Sequence, residues 1–347
     1  MFQIRLKQQA ATDVAALRAR LQIWAEERGW TLAGSQENPE ILYLQGVKLA
    51  SELDLLANWN GIEVVQAENA PATAAIERLP QGLQVGDAQF GAGFASFIAG
   101  PCSVESYDSM LHLAQHLVAA GATALRAGAF KPRTSPYAFQ GLGVPGLEIL
   151  SAVREETGLP VVTEVLDPRD LDVVAQHADV LQIGSRNMSN APLLKEVGRA
   201  GLPVLLKRGM SATLKEFIYA AEYVALGNAP AVMLCERGLR HFDPAVRNVL
   251  DLSAVPALKQ ETGLPVIVDP SHGTGRADLV PDMLLAASAA GADGFLVEVH
   301  TDPSASWSDA DQALPMSAFR EIVPRVARVL AACDRELCQA QSSQTKV

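Results

Sequence analysis

The segment ETGLPVV (residues 156–162) recurs almost unchanged as ETGLPVI (residues 261–267). In both copies, an apolar, β-rich run starts directly after the proline. A second pair of segments is also similar, AGATALRAG (residues 120–128) and AGADGFLVE (residues 290–298). Repeats of this kind indicate a fold that is built from similar strand–helix units.

The same pattern occurs eight times between residues 94 and 300. The apolar runs are FASFIAG, TALRAG, VVTEV, DVLQIG, PVLLKRG, AVMLCERG, PVIVDPSHG and GFLVEVH, and each leaves room for a helix after it. Nearly continuous apolar strands that alternate with helices are typical of a parallel sheet. Eight such units over roughly 240 residues predict an α/β fold of the (β/α)8 TIM barrel type. An open doubly wound sheet is the alternative, but no G-x-G-x-x-G turn follows the first strand.

A smaller domain precedes the barrel. Residues 1–66 read as strand, helix, two strands, helix (50–58) and strand, which is the order of a ferredoxin-like α+β domain. Residues 67–92 include two prolines and many small residues, and we interpret them as a linker. The barrel is predicted to span residues 93–335, and residues 336–347 to form a polar tail.

Composition narrows the class of partner. The 347 residues include 28 basic and 39 acidic ones, which gives a formal net charge of -11. This charge argues against nucleic acid or an anionic membrane as a partner. The four cysteines are too few for a disulfide framework. We see no signal peptide and no apolar run of about 20 residues, and we therefore expect a cytoplasmic protein.

Three metal-ligand residue types fall at the ends of neighbouring strands. The active site of a TIM barrel lies at the carboxyl ends of its strands. Cys102, His272 and Glu298 follow or end strands one, seven and eight, which adjoin once the barrel closes. A thiolate, an imidazole and a carboxylate suit zinc, iron, manganese or cobalt. The loop after strand eight adds three candidates for a fourth ligand: Asp302, Asp309 and Asp311. Taken alone, Cys102 also fits a small buried residue, and His272 a capped turn.

Cationic side chains form a second group at the strand ends. They are Arg126, Lys131, Arg133, Arg186, Lys207, Arg208 and Arg237. Arginine binds carboxylate and phosphate through two parallel hydrogen bonds, and lysine adds a point charge. So many cations at one barrel mouth predict anionic ligands that carry more than one charged group. The segment KPRTSPY (residues 131–137) fits a phosphate-binding loop, although a solvated basic loop is the alternative.

The motifs together resemble those of a known enzyme family. They are AGPCSVES, LRAGAFKPRTSPYAFQGLG, TEV, QIGSRNMSN, LLKRGM, CERG, RNVLDLSAVP, VDPSHGTG and VEVHTDPSASWSDADQAL. In this order, from about residue 90 to 325, they resemble the 3-deoxy-7-phosphoheptulonate (DAHP) synthases. The N-terminal region resembles the ferredoxin-like extension of one branch of that family. The resemblance implies a transferase that condenses phosphoenolpyruvate, erythrose 4-phosphate and water to DAHP and phosphate, the entry step of the shikimate pathway.

The resemblance also implies roles for particular residues. One divalent metal ion (Mn, Fe, Co or Zn) would be bound by Cys102, His272, Glu298 and Asp309. Phosphoenolpyruvate would be held by Arg126, Lys131, Arg186, Lys207 and Arg237, with Glu164 placing a water. Erythrose 4-phosphate would be bound by Lys131, Pro132, Arg133, Thr134 and Ser135. The candidates for proton transfer are Lys131 and His272.

Two other enzyme classes are weighed against this one. The 3-deoxy-octulosonate 8-phosphate synthases resemble this chain but usually carry an Ala-Asn-Arg-Ser type loop in place of KPRTS, and some replace the metal cysteine with asparagine. A Schiff-base aldolase would use Lys207 as its nucleophile, but it leaves Cys102, His272 and Glu298 unexplained. A non-enzymatic scaffold is disfavoured because every expected site residue is present.

One loop departs from the family pattern. Where the family usually carries Leu-Ser-Asp-Gly, this chain has Trp307-Ser308-Asp309-Ala310. Asp309 stays in place, and the lost glycine predicts a change in loop flexibility.

The N-terminal domain is expected to regulate the enzyme. From the resemblance to that branch of the family, and because ferredoxin-like modules pair to bind small effectors, we expect residues 1–66 to mediate feedback inhibition by phenylalanine or tyrosine. A structural cap that aids assembly is the alternative. The family resemblance implies a homo-oligomer, commonly a tetramer.

Overall fold

The computed structural model describes residues 2–6, 14–34, 40–45, 56, 59, 61–66, 75–133 and 135–340. The chain forms two compact units, Met1–Ala74 and Ala75–Val347.

The first unit has the strand order of a ferredoxin-like fold. Its strands are β1 (Phe2–Leu6), β2 (Thr31–Gly34), β3 (Ile41–Gln45) and β4 (Ile62–Gln66), and its described helix is α1 (Val14–Glu26). The sheet is antiparallel with the order β2-β3-β1-β4. Leu17 and Leu21 of α1 are buried in one cluster with Ile4 and Leu42 of the sheet. The predicted ferredoxin-like class is confirmed, while the predicted helix 50–58 lies outside the described residues except for Leu56.

A hairpin begins the second unit inside the stretch that we interpreted as a linker. Its strands are β5 (Gly82–Val85) and β6 (Ala88–Gly91), which pair antiparallel. Gly86, with a φ of +57°, supplies the left-handed residue that the tight turn needs. Phe90 is 2% exposed and packs with Ile98 and Val162, so the hairpin covers the amino-terminal end of the barrel. The prolines at 71 and 80 suggested a linker, but this hairpin follows them.

Eight parallel strands form a closed barrel. They are β7 (Phe94–Gly100), β8 (Ala124–Arg126), β9 (Val161–Glu164), β10 (Val180–Ile183), β11 (Val204–Lys207), β12 (Val232–Glu236), β13 (Val266–Val268) and β14 (Gly294–His300). Each pairs in parallel with the next, and β14 pairs with β7, which closes the cylinder. The predicted TIM barrel is therefore confirmed, and the open sheet is excluded. Besides the hairpin, the described part of this unit has two more short strands outside the cylinder. β15 (Leu314–Pro315) pairs with β14, and β16 (Glu336–Leu337) pairs with β7.

Helices follow the barrel strands and cover them. They are α2 (Tyr107–Ala120), α3 (Val144–Thr157), α4 (Leu171–His177), α5 (Ala191–Arg199), α6 (Leu214–Leu226), α7 (Ala254–Thr262), α8 (Pro270–Thr274), α9 (Val280–Ala289) and α10 (Met316–Ala332). Among the described residues, no helix combines the length and the apolar character that crossing a membrane requires.

The repeated ETGLPV segments perform the same local task in the barrel. Each contains the end of a helix, a capping glycine and the start of the next strand. Gly158 and Gly263 cap α3 and α7 in the left-handed conformation, with φ of +72° and +69°. Thr157 and Thr262 each donate to the backbone oxygen four residues earlier at 2.7 Å. The sequence repeat therefore corresponds to a structural repeat.

Glu222 of α6 is a buried carboxylate that holds the start of this unit. Its two oxygens accept the backbone N–H groups of Ala75 at 2.7 Å and Ile76 at 3.0 Å. Burial raises the pKa of Glu222 from 4.5 to about 7, even though both hydrogen bonds favour the ionised form.

The raised pKa of Glu222 predicts that the free energy of unfolding depends on pH. The folded state binds the Glu222 proton more tightly than the unfolded state, so stability falls as the pH rises from about 4.5 to about 7. A shift of this size corresponds to about 3 kcal/mol. As the pH is raised from 5 to 8, we expect the urea concentration at the unfolding midpoint of the wild type to decrease relative to that of Glu222→Gln. Parallel pH profiles of the two proteins would contradict the shift.

Candidate active site

A cavity of about 500 Å³ opens at the carboxyl ends of the strands. Its walls carry two carboxylates, Glu164 and Asp309, against a larger number of cations. The cations that line it, among the described residues, are Arg126, Lys131, Arg133, Arg186, Lys207, Arg237, Arg240 and Arg247. The net charge of the chain is negative, so this local excess of positive charge marks a site for anions.

Three of the four predicted ligands meet at one side of this cavity. A sulfur of Cys102 and carboxylate oxygens of Glu298 and Asp309 all lie within 4.8 Å of one another. His272 completes the predicted set, because its Nε2 is 3.3 Å from Oε1 of Glu298. These four side chains come from the ends of β7, β13 and β14 and from the loop after β14.

Cys102 follows β7 and is only 2% exposed. Its thiol donates to Oδ2 of Asp309 at 3.0 Å, and Lys131 Nζ lies 3.0 Å from the sulfur. Lys131 also donates to the backbone oxygen of Cys102 at 2.7 Å. Burial and the charge of Glu298 raise the pKa of Cys102 to about 11, so the metal-free site holds a thiol at neutral pH.

His272 lies in the first turn of α8, where Asp269 caps the helix. Oδ1 of Asp269 accepts the backbone N–H of His272 at 2.9 Å, and Oδ2 is 2.7 Å from its Nδ1. Asp269 therefore lies against the Nδ1 side of the ring, and Nε2 is on the side of Glu298. Burial lowers the pKa of His272, although the Asp269 carboxylate opposes this shift. The ring is thus favoured in the neutral form, which is the form that binds metal ions.

Hydrogen bonds to the opposite loop hold the segment that carries Asp309. Ser308 Oγ lies 2.9 Å from Ser103 Oγ. Glu105 accepts the backbone N–H of Trp307 at 3.0 Å, and its other oxygen is 3.3 Å from His300 Nε2. His300 thus contributes to the support of this loop.

Asp309 itself adopts a left-handed conformation, with a φ of +49°. Such a conformation is uncommon for a residue other than glycine and is often found at functional sites. Ala310 does not have a positive φ, so an alanine at this position causes no backbone strain. The other two candidates for a fourth ligand lie elsewhere: Asp302 caps the turn Pro303–Ala305, and Asp311 is exposed.

The donor set fits a divalent transition metal. One sulfur, one imidazole nitrogen and two carboxylate oxygens are the ligand types that zinc, iron, manganese and cobalt share. Glu298 and Asp309 both have a pKa below the usual value, although burial alone would raise it. For Glu298 the interactions that lower the pKa are those with His272 and Arg126. For Asp309 they are a hydrogen bond from Cys102 and the charge of Arg133. Both side chains are therefore ionised and available as ligands.

The predicted phosphoenolpyruvate residues line the same cavity. Lys207 is buried and pairs with Asp269 at 2.6 Å, and Arg126 is buried and pairs with Glu298 at 2.8 Å. Nε of Arg126 has no hydrogen-bond partner among the residues that the structure describes. The remaining members also line the wall: Glu164, Arg186 and Arg237.

Arg208 is the one predicted cation that does not line the cavity. It pairs with Glu236 at 2.8 Å and Asp251 at 3.0 Å. Successive side chains at a strand end point to opposite faces, so Lys207 and Arg208 cannot both reach the same space. Because side chains alternate along a strand, Lys207 faces the cavity and Arg208 faces away from it. Our prediction that Arg208 belongs to the cationic group at the barrel mouth was therefore wrong.

The predicted aldose-phosphate loop forms one wall. Lys131, Pro132, Arg133 and Ser135 line the cavity, and Thr134 lies outside the described residues. Nη1 of Arg133 is 3.6 Å from Oδ2 of Asp309, which brings this loop next to the ligand cluster.

Several residues of the site were not predicted. Arg240 and Arg247 line the cavity from the β12–α7 loop, and Gln312 contacts Glu298. Arg247 belongs to the quoted motif RNVLD, which was the available signal. Gln312 also lies inside a quoted motif, VEVHTDPSASWSDADQAL, but a single glutamine in a loop carries no pattern that indicates its role.

Comparisons with known proteins agree with this geometry. The model of the DAHP synthetase I family matches residues 72–330. The phospho-2-dehydro-3-deoxyheptonate aldolase of Thermotoga maritima is 47% identical over 247 residues, which cover 71% of this chain and 73% of that protein. A crystal structure of this DAHP synthase from Thermotoga maritima is similar with a TM-score of 0.75 and 38% identity, covering 97% of this chain and 99% of that one.

The sister enzymes are more distant. The 2-dehydro-3-deoxyphosphooctonate aldolase of Syntrophotalea carbinolica is 31% identical over 271 residues, which cover 72% of this chain and 96% of that protein. The match to the heptonate enzyme is much stronger, and it agrees with the KPRTS loop and with Cys102. By sequence and by structure, this chain belongs to the DAHP synthetase I family.

Proposed function

We propose that this chain condenses phosphoenolpyruvate with erythrose 4-phosphate and water to give DAHP and inorganic phosphate. The observation that carries the proposal is the cluster of Cys102, His272, Glu298 and Asp309 beside a cavity lined by cations. Such a cavity accommodates two phosphorylated substrates next to a metal site.

The ligand cluster would supply the metal ion that activates the aldehyde substrate. Cys102, His272, Glu298 and Asp309 would hold one divalent metal ion, whose identity among Mn, Fe, Co and Zn stays open. When bound, the ion supplies a Lewis acid that polarises the aldehyde of erythrose 4-phosphate.

The buried cations position phosphoenolpyruvate for the reaction. Arg126, Lys131, Arg186, Lys207 and Arg237 would bind its carboxylate and phosphate. Two polyanions repel each other in water, so holding both of them in a cationic cavity supplies the proximity that the condensation needs. The ion pair between Lys207 and Asp269 keeps this lysine in place and engaged. That arrangement disfavours a Schiff-base role for Lys207, which needs a free amine.

Proton transfer is assigned to groups that already contact the site. Lys131 Nζ lies beside the Cys102 sulfur and lines the cavity, which supports a role as proton donor to the aldehyde oxygen of erythrose 4-phosphate. His272 is the second candidate. Glu164 accepts a hydrogen bond from Gln182 at 3.1 Å and faces the cavity, where its other oxygen can orient the attacking water.

Arg133 provides a test of the aldose-phosphate site. A charge-assisted hydrogen bond to phosphate contributes about 1.5–3 kcal/mol. We therefore expect Arg133→Ala, assayed at saturating metal, to raise the KM for erythrose 4-phosphate about 10- to 100-fold and to leave the KM for phosphoenolpyruvate nearly unchanged. Arg133→Lys should be intermediate. An equal rise in both KM values would contradict this assignment.

The substrate itself separates this function from the sister activity. The full chain is incubated with phosphoenolpyruvate and either erythrose 4-phosphate or arabinose 5-phosphate, and the released phosphate and the 3-deoxy-keto acid are measured. We expect turnover with the four-carbon sugar alone. Equal or faster turnover with the five-carbon sugar would assign the chain to the sister class.

The proposal also covers the regulation, the oligomeric state and the location of the protein. The ferredoxin-like sheet supports a role of residues 1–66 in inhibition by phenylalanine or tyrosine, within a homo-oligomer that we expect to be a tetramer in the cytoplasm. Deleting residues 1–66 here should abolish inhibition and keep catalysis. A truncated chain that is equally inhibited would refute the regulatory role.

A further inference from the structure

Gln312 is buried next to the ligand cluster and connects it to the cavity wall. Its side chain is 2% exposed. The residue is the last one of the turn Ala310–Gln312, which directly follows Asp309. Its Nε2 donates to Oε2 of Glu298 at 2.6 Å, and its Oε1 accepts from Nη1 of Arg247 at 2.7 Å. A single amide thus bridges a proposed metal ligand and a cation of the cavity.

The two partners determine which way the amide faces. A guanidinium can only donate hydrogen bonds, and an ionised carboxylate can only accept them. Arg247 therefore requires the oxygen of Gln312, and Glu298 requires its nitrogen. A flipped amide would place two donors together at one end and two acceptors at the other. Arg247 thus fixes the donor that Gln312 presents to Glu298.

This donor divides the two oxygens of Glu298 between different tasks. Oε2 is bound by Gln312, whereas Oε1 lies 2.8 Å from Nη1 of Arg126 and 3.3 Å from Nε2 of His272. The oxygen on the His272 side is therefore the one that can face a metal ion. Both oxygens accept a hydrogen bond, so their positions distinguish them: Oε1 lies beside His272, another proposed ligand, whereas Oε2 faces Gln312.

Arg247 is itself held in position. Its backbone N–H donates to the carbonyl of Thr274 at 2.8 Å. Its side-chain stem lies against Gly275, where a Cβ atom would collide with it. Gly275 also has a backbone φ of +68°, a value that residues other than glycine rarely adopt. The backbone around His272 thus makes room for Arg247.

We propose that Gln312 is a positioning residue that restricts Glu298 to one-oxygen metal binding, and that Arg247 acts through Gln312 by fixing its amide. This inference rests on the metal site of the proposed function. Groups that orient metal ligands typically affect metal affinity by about 10- to 100-fold.

The test measures metal affinity without turnover. Metal-depleted full-length chain is titrated with Co²⁺ in competition with a chromogenic chelator, and the visible spectrum of the bound ion is recorded. We expect Gln312→Leu to weaken Co²⁺ binding about 10- to 100-fold. We also expect a changed d–d spectrum, because a freed Glu298 can bind through both oxygens. Gln84→Leu, in the hairpin at the other end of the barrel, is the matched control and should bind Co²⁺ like the wild type.

A double-mutant cycle tests the role of Arg247. Arg247→Leu should weaken Co²⁺ binding about 10-fold, and Arg247→Lys, which keeps a donor, should recover part of the loss. In the Gln312→Leu background, Arg247→Leu should have no further effect, because its influence passes through the missing amide.

The outcomes separate this inference from the proposed function. Wild-type affinity and spectrum in Gln312→Leu would overturn the positioning role, and additive losses in the double variant would overturn the action of Arg247 through Gln312. A wild type that binds no Co²⁺ would overturn the metal site itself and this inference with it.

Discussion

Replacing Cys102 with alanine should remove both metal binding and turnover. Cys102 contributes the only sulfur of the cluster, and its thiol already contacts Asp309 at 3.0 Å. Structural zinc ions in zinc-finger peptides contribute about 10–16 kcal/mol through four ligands, so by analogy the loss of one ligand should weaken binding by about two to three orders of magnitude. Metal content after dialysis and the initial rate with both substrates are the measurements.

A second cysteine provides the control for this variant. Cys333 follows α10 and is exposed, so Cys333→Ala should retain both the metal and the activity. A Cys102→Ala protein with wild-type rates would contradict the assignment of Cys102 as a ligand. It would then be a small buried residue at a strand end.

Removing the charge of Arg126 should have an effect of similar size. Arg126 is 4% exposed and pairs with Glu298 at 2.8 Å, while it also lines the cavity. Breaking a buried ion pair from one side costs about 3–5 kcal/mol, because the remaining charge is left without its partner. Arg126 would also bind the anionic substrate through charge-assisted hydrogen bonds, each of which contributes about 1.5–3 kcal/mol. Two of them predict a decrease in kcat/KM for phosphoenolpyruvate of about two to four orders of magnitude in Arg126→Leu.

Two other arginine variants serve as comparisons for Arg126→Leu. Arg126→Lys should recover part of the loss, because it keeps the charge without the planar fork. Arg169→Ala removes an exposed arginine that pairs with Asp167, and its kinetics should match those of the wild type. A decrease in thermal stability of Arg126→Leu with unchanged kcat/KM would show that Arg126 supports the fold and not phosphoenolpyruvate binding.

The barrel could be predicted because its signal is repeated. Eight apolar runs, and two copies of ETGLPV that end a helix and start a strand, predict the same unit many times over. The hairpin of residues 82–91 occurs once and follows two prolines, so composition indicated a linker.

The site could be predicted in part, since ligand types at strand ends converge in any closed barrel. The side on which a residue points was harder to predict, and Arg208 was placed at the cavity although the strand period directs it to Glu236. Contacts across loops were not predictable at all. Gln312 meets Glu298 and Arg247 only after three separate segments have folded.

The most direct test of the account is a metal titration of turnover. The full chain is assayed with phosphoenolpyruvate and erythrose 4-phosphate as purified, after exhaustive chelation, and during stepwise return of Mn²⁺. We predict that chelation abolishes DAHP formation and that activity rises in proportion to added Mn²⁺ until one ion is bound per chain. Full activity in a protein depleted of metal would contradict the account, because the cluster of Cys102, His272, Glu298 and Asp309 would then have another purpose.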